Sequence, residues 1–245
     1  MTGGLELQRP RDLSTLFGDA LRVYFRHLLT FWLQAAAIVV PVHLIVSGVG
    51  LEQLTAGYDD SPSPVELVIP ALVSYLVVSP LITATCIYSL REVAAGNRPP
   101  PGRSIAAGFE AFAPIFGAVV LAALGITVGL LLIVPGVYLF VRWFFVPQEV
   151  VVEGVSGIEA LKRSGQVVQG FWWRTLGIIV LGNVAVGVPA ILLSSPFVAA
   201  ADGSDRAVFT LVGSIVTDII TAPFIALLAT LLYFDLRARR AGAAP

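Results

Sequence analysis

Of 245 residues, 57% are hydrophobic and 13% charged, and the mean hydropathy is +0.88, against about 45–50% apolar and about 25% charged in ordinary soluble domains. This is the composition of a bilayer protein, and it leaves no room for a separate aqueous domain. A single cysteine (Cys86) and two histidines (His27, His43) exclude a disulfide framework and a three-ligand zinc site, and a formal net charge of -1 argues against a nucleic-acid partner.

Residues 1–27 are polar and amphipathic, so a cleavable signal peptide is not expected, and the first apolar run acts as an uncleaved anchor. Between Leu13 and Leu28 apolar residues fall at 13, 16, 17, 20, 21, 24 and 28, one stripe of a helix. Ser14, Asp19, Arg22 and Arg26 take the other face. The stripe predicts a helix lying along the membrane surface, with Leu16, Phe17, Leu21 and Tyr24 toward the acyl chains and Arg22 and Arg26 toward anionic head groups.

A crossing helix needs about 20 apolar residues. Runs at Leu28–Leu51, Leu67–Leu90, Ala111–Val141 and Thr175–Ala201 are free of charge, and Ala207–Phe234 is interrupted only by Asp218. The third run is too long for one helix. Pro135-Gly136 splits it, predicting one helix to about Val134, a minimal turn, and a second helix from Val137 to about Val152. The expected fold is therefore all-α and polytopic, one integral membrane domain over 1–245 with a lead-in at 1–27, a six-span bundle at 28–236 and a basic tail from residue 237. With six spans, thirteen of the fifteen basic residues share one side, Arg206 is alone on the other and Arg142 lies within a span. Merging the third and fourth spans would divide the basic residues eight to six. The rule that Lys and Arg collect in the cytoplasm thus selects six spans with both termini inside.

A second amphipathic stripe, Ile158, Leu161, Gly165 and Val168, opposes Glu159, Lys162, Arg163, Gln166 and Gln169 and leads through Gly170-Phe171-Trp172-Trp173 into the fifth span. Lys162 and Arg163 join Arg22 and Arg26 as interfacial basic residues, and Ser156 with Glu159 has the spacing of a capping box. A weaker lead-in begins at Ser104, so an amphipathic helix before a hydrophobic hairpin recurs at about 13–90, 104–152 and 156–236.

The opening RPRDLSTLFGDALRVYFRHLLTFW, the central IVPGVYLFVRWFFVPQEVVVEG and the following ALKRSGQVVQGFWWRTLGIIVL resemble the bacterial family of membrane domains named after glycerophosphoryl diester phosphodiesterases. That resemblance spans nearly the whole chain and implies a six-helix membrane domain without the soluble catalytic barrel.

GVSG at Gly154–Gly157 matches a short hydrolase pattern, but Ser156 falls in the capping box while His43 belongs to the far half of the first span. No phosphate loop, dinucleotide fingerprint or metal-spaced carboxylate pair occurs, so no cofactor is expected. The polar residues at membrane depth are Gln34, His43, Arg142, Asn183 and Asp218. Arg142 and Asp218, each costing about 2.5–3.5 kcal/mol if unpaired, require either one another or separate partners. The expected function is a non-catalytic scaffold or interaction module of the bacterial inner membrane, partnered by lipids and by membrane or cytoplasmic proteins. The alternative is a small-solute or lipid transporter with a polar site near Arg142 and Asp218. A polar cavity joining Arg142, Asp218 and Asn183 marks the transporter, and a closed apolar bundle marks the scaffold. Reporter fusions after Asp59 and after Gly203 should both read as external; a cytoplasmic signal from the Gly203 fusion would overturn the six-span model.

Overall fold

The computed structural model describes residues 6–48, 71–200 and 206–243, all helix or connection with no strand among them. The elements are α1 (Leu13–Arg26), α2 (Leu28–Gly48), α3 (Ala71–Ala94), α4 (Pro101–Glu110), α5 (Phe112–Leu130), α6 (Val134–Arg142), α7 (Val146–Glu153), α8 (Gly157–Val168), α9 (Trp172–Ala200) and α10 (Arg206–Ala243). The acidic loop at Glu52, Asp59 and Asp60 lies outside the described residues. Five helices, α2, α3, α5, α9 and α10, are long and apolar enough to cross a membrane, which is compatible with a multi-pass membrane protein.

Asp12 caps α1, accepting from the Thr15 amide at 3.2 Å and from the Ser14 hydroxyl at 3.0 Å. The Thr15 hydroxyl bonds it as well, and these contacts hold its carboxyl below the usual carboxylate range. The helix expected from the first stripe is there, but its environment differs. Leu16, Ala20, Val23 and Tyr24 are buried in the protein core, and α1 packs against α10. Leu21, expected in contact with lipid on the same face, is exposed at its edge, and Asp19, placed on the polar face, is buried. An apolar stripe has the same period whether it meets lipid or protein.

Prolines mark where helices bend. In α3 a wider π-helical turn at Ser74–Val78 precedes Pro80 and opens the ladder where proline has no N–H to give. Pro135 does not make the turn expected of it. The turn is Leu131–Ile133, and Pro135 occupies the first turn of α6, where its missing donor costs nothing. Gly136 lets α6 close on α5, since a Cβ there would lie 2.6 Å from Leu130 Cα.

The single fourth span expected over 137–152 is also corrected. It is two helices of nine and eight residues, broken at Trp143–Phe145. The buried Ser164 hydroxyl fills the break, donating to the Arg142 carbonyl (3.0 Å) and accepting from the Phe145 amide (3.2 Å). The expected capping box does not form either. Gly157 takes a left-handed conformation (φ 55°) at the start of α8, Ser156 makes no side-chain cap, and Glu159 pairs with Arg163 at 3.0 Å.

The spine of the fold is α10, whose 38 residues extend about 57 Å and include most of the segment read as a tail. Along Phe224–Leu236 it is buried on every side, by α1, α2, α3 and α9. It runs antiparallel to α9, with Gly182 against Leu228 and Gly213 against Phe197. Asp235 lies fully buried in this stretch. Its carboxylate accepts from the Arg11 amide (2.6 Å), from Arg174 Nε and Nη2 (3.1 and 3.0 Å) and from Arg239 Nε (3.0 Å). Arg174 Nη2 also donates to the Arg11 carbonyl at 2.6 Å. Removing one member of a buried ion pair leaves orphan charges and costs about 3–5 kcal/mol. Asp235→Ala should therefore lower the midpoint of unfolding in detergent far more than Asp12→Ala does, and equal losses would show that the cluster does not hold the helices together.

Candidate functional site

Polar chemistry gathers at the end of the bundle that carries the start of α1 and the last turns of α10, called here the basic end. Beside the Asp235 cluster, the Arg11 side chain is fully buried and donates to Asp19 Oδ2 (3.1 Å) and to the Leu7 carbonyl (3.0 Å). Arg9 and Arg22 reach the same Asp19 at 3.2 and 3.5 Å. Where α7, α8 and α10 meet, an open cleft of about 350 Å³ is lined by Glu149, Glu153, Glu159, Arg163, Gln166, Val167, Arg237 and Arg240. Arg237 bridges Glu153 and the Tyr233 hydroxyl, and Arg163 bridges Glu159 and Glu153. Glu149 lies at its buried side beside Tyr233, and burial pushes its carboxyl above the usual range against the opposing Tyr233 hydrogen bond and Arg237 charge.

Among the described residues, two gaps inside the bundle are small and lined mainly by apolar side chains. One of about 20 Å³ lies between α9, α10 and Phe144, and a second, between α2, α3 and Pro223, has no room for water. Gln34 and Ser89 satisfy one another there, at 2.9 and 3.1 Å. Farther from the basic end, His43 Nε2 lies 3.0 Å from Asp218 Oδ2, and His43 Nδ1 lies 3.5 Å from Ser214 Oγ. Asp218 and Ser214 are one turn apart on α10, so α2 presents one imidazole to two successive turns. The order serine, imidazole, carboxylate is the one hydrolysis uses. Here, however, the Ser214 hydroxyl donates to the Leu211 carbonyl (2.9 Å), and its neighbours sit within a continuous helix that commits their amides to its own ladder.

Of the two alternatives for Arg142 and Asp218, the structure has separate partners rather than the direct pair. Asp218 has His43, while Arg142 donates to the Tyr138 hydroxyl (2.9 Å), stands over the Tyr138 ring and packs on Gly165 of α8. Arg142 therefore belongs to the basic end. Asn183 bonds back to the Ile179 carbonyl at 2.8 Å and lines the 20 Å³ gap, whose lining includes neither Arg142 nor Asp218. Arg22, Arg26 and Lys162 are exposed, and Arg163 is half-buried in the cleft. Ser156 opens α8, while His43 is engaged by Asp218 and Ser214. No group of three or more metal-ligating side chains occurs among the described residues.

Sequence reasoning missed Arg11, Asp19, Arg174 and Asp235 as a cluster. The i,i+4 spacing of Asp235 and Arg239 was a visible signal, but nothing local ties Arg11 to a carboxylate 224 residues away.

Residues 66–236 match a family described as Domain of unknown function (DUF7847), and the chain belongs to that family. No curated protein and no solved structure matches it.

A double-mutant cycle separates the two accounts of Asp218. Losses from His43→Ala and Asp218→Ala should be less than additive, and those from Arg142→Ala and Asp218→Ala additive within about 0.5 kcal/mol. The reverse pattern in detergent unfolding would restore the Arg142 pairing.

Proposed function

We propose that this chain is a non-catalytic membrane module whose basic end faces the cytoplasm of a bacterial inner membrane and organises lipids or partner proteins there. The observation that carries the reading is the separation of chemistry within the bundle. Charged side chains and the 350 Å³ cleft lie at the basic end, whereas two gaps between the long helices, among the described residues, are lined mainly by apolar side chains and hold about 20 Å³ or less. A solute of even a few atoms needs more space than that, while a docking face needs polar groups held rigid at a surface. The thirteen basic residues on one side support a cytoplasmic assignment. An excess of fourteen arginines over one lysine, with abundant Ala, Gly and Val, supports a bacterial source. The resemblance to the phosphodiesterase-named membrane domains fits the same reading, as a membrane domain working without a barrel. No cofactor or nucleic-acid partner is part of it.

One observation favours transport instead. His43 and Asp218 place a protonatable pair away from the basic end, and ionisable groups at membrane depth commonly mark a conduction path. Proteoliposomes distinguish the two readings. The purified chain should give no proton flux above protein-free vesicles under an imposed pH gradient and potential. A flux abolished by Asp218→Asn would overturn the scaffold reading in favour of a proton-linked transporter.

A further inference from the structure

The α5–α6 hairpin has the composition of a crossing but not the placement. Its turn is built for hydrocarbon. Leu131, Leu132, Ile133 and Val134 are 71–82% exposed, and no charged residue lies between Ala111 and Val141. The amides of these four residues nevertheless all have acceptors within the turn: Val128, Gly129, Leu130 and Leu132 carbonyls at 3.3, 3.1, 3.0 and 2.6 Å. Pro135, next in line, has no amide proton to satisfy. Irregular backbone is costly in lipid because its donors go unpaired, and this turn avoids that cost. It even holds Ile133 at φ 58° and ψ -66°, a positive-φ γ-turn closed by the Val134 amide on the Leu132 carbonyl and unusual for a β-branched residue.

The turn is also close to the basic end. Tyr138 follows Ile133 by five residues, about 7.5 Å along α6. Its ring stacks on Trp172 with centroids 6.2 Å apart, and the Trp172 indole N–H donates to its carbonyl at 3.4 Å. Trp172 is the first residue of α9, two before the Arg174 that grips Asp235. From that level α9 continues about 42 Å to Ala200, whereas helix rise, hydrogen bond and indole length together hold the turn within about 20 Å of Trp172. A hydrocarbon core is about 30 Å thick. On its other flank α5 packs through Ile115, Ala118 and Val119 in one cluster with Val146, Val150 and Ala160 of α7 and α8, the helices that form the cleft.

We propose that α5 and α6 form a re-entrant hairpin that enters and leaves the bilayer on the basic side, seats Leu131–Val134 among acyl chains, and leaves α2, α3, α9 and α10 as the crossing helices. Which leaflet receives it rests on the sidedness given above; the hairpin itself does not. Entry and exit on one side keep both chain ends together, so the basic-residue asymmetry is unchanged.

Thiol accessibility tests this in the full-length protein, with buried Cys86 as a silent background. Leu132→Cys removes no packed side chain, and Lys162→Cys and Gly203→Cys report the two aqueous sides. In membrane vesicles of both orientations, Leu132→Cys should resist a membrane-impermeant maleimide and react only after denaturation in SDS. Labelling at the rate of Gly203→Cys from the far side would overturn the proposal, as would labelling at the rate of Lys162→Cys from the near side. Spin-label distances in bilayers supply the depth: position 132 should lie nearer to 162 than to 203, and the opposite order would mean a full crossing. Far-side labelling of Gly203→Cys stands or falls with the sidedness alone, so the two failures are distinguishable.

Discussion

A carboxylate with no exposed surface, Asp235, sits in the most densely packed stretch of the longest helix, and the arrangement of the basic end follows from satisfying it. A buried anion is tolerable only when its oxygens are filled by well-placed donors. Here the donors come from three separate parts of the chain: a backbone amide before α1, a guanidinium at the start of α9 and another one turn along α10. Each donor fixes the element that carries it. The Arg11 carbonyl, turned toward the same two arginines, ties the segment in from the other side. Apolar packing gives the bundle its cohesion, but it does not by itself choose which helix end meets which, and directional charged contacts of this kind do.

This anchoring explains why α1 is an internal element. With Arg11 fixed at Asp235, the following fourteen residues lie against α10, and the Tyr24 hydroxyl bonds the Ile220 carbonyl at 2.6 Å near the Pro223 interruption. The Trp32 indole then donates to the same hydroxyl at 2.8 Å, joining α1 to α2 across the bend at His27. At the other end of the bundle the packing is sparser: Leu44, Ile45, Val188, Ile191 and Leu192 are exposed for lipid to cover. Order and polarity thus coincide at one end, and apolar side chains without protein partners prevail at the other.

The helices were legible in the sequence because bilayer length and hydrocarbon character leave a long, plain signal. Leu28 onward, Phe112–Leu130 and Thr175–Ala200 appear as charge-free apolar stretches, and the run ending at Phe234 is broken only by Asp218. What was not legible depends on partners rather than on pattern. Pro135 reads equally as a turn residue or as the first turn of a helix, and only the position of Leu131–Ile133 decides. Ser156 and Glu159 have capping spacing, but the left-handed Gly157 and the nearby Arg163 take the geometry elsewhere. Asp19 looks like a solvated residue on a helical wheel and is a buried acceptor for three arginines. Asp218 was visible as a costly charge, but its partner is a histidine on α2, and no local pattern in the sequence ties His43 to it. Arg142 sits on the nine-residue α6 and meets Tyr138 one turn back on the same helix.

The bond between Arg11 and Asp235 joins positions 224 residues apart, which bears on the order in which the molecule can be assembled. A ribosome delivers Arg11 a full 224 residues before Asp235, so the acceptor for the segment before α1 does not exist while the intervening helices are being inserted. Until then the Arg11 amide lacks its acceptor, although the Arg11 guanidinium already has Asp19, and Arg174 must remain hydrated or engage lipid phosphate. Closure is therefore a late, long-loop event of high contact order, made after synthesis has passed the last helix. A nascent chain stopped short of Asp235 would hold its hydrophobic helices without the contact that registers them.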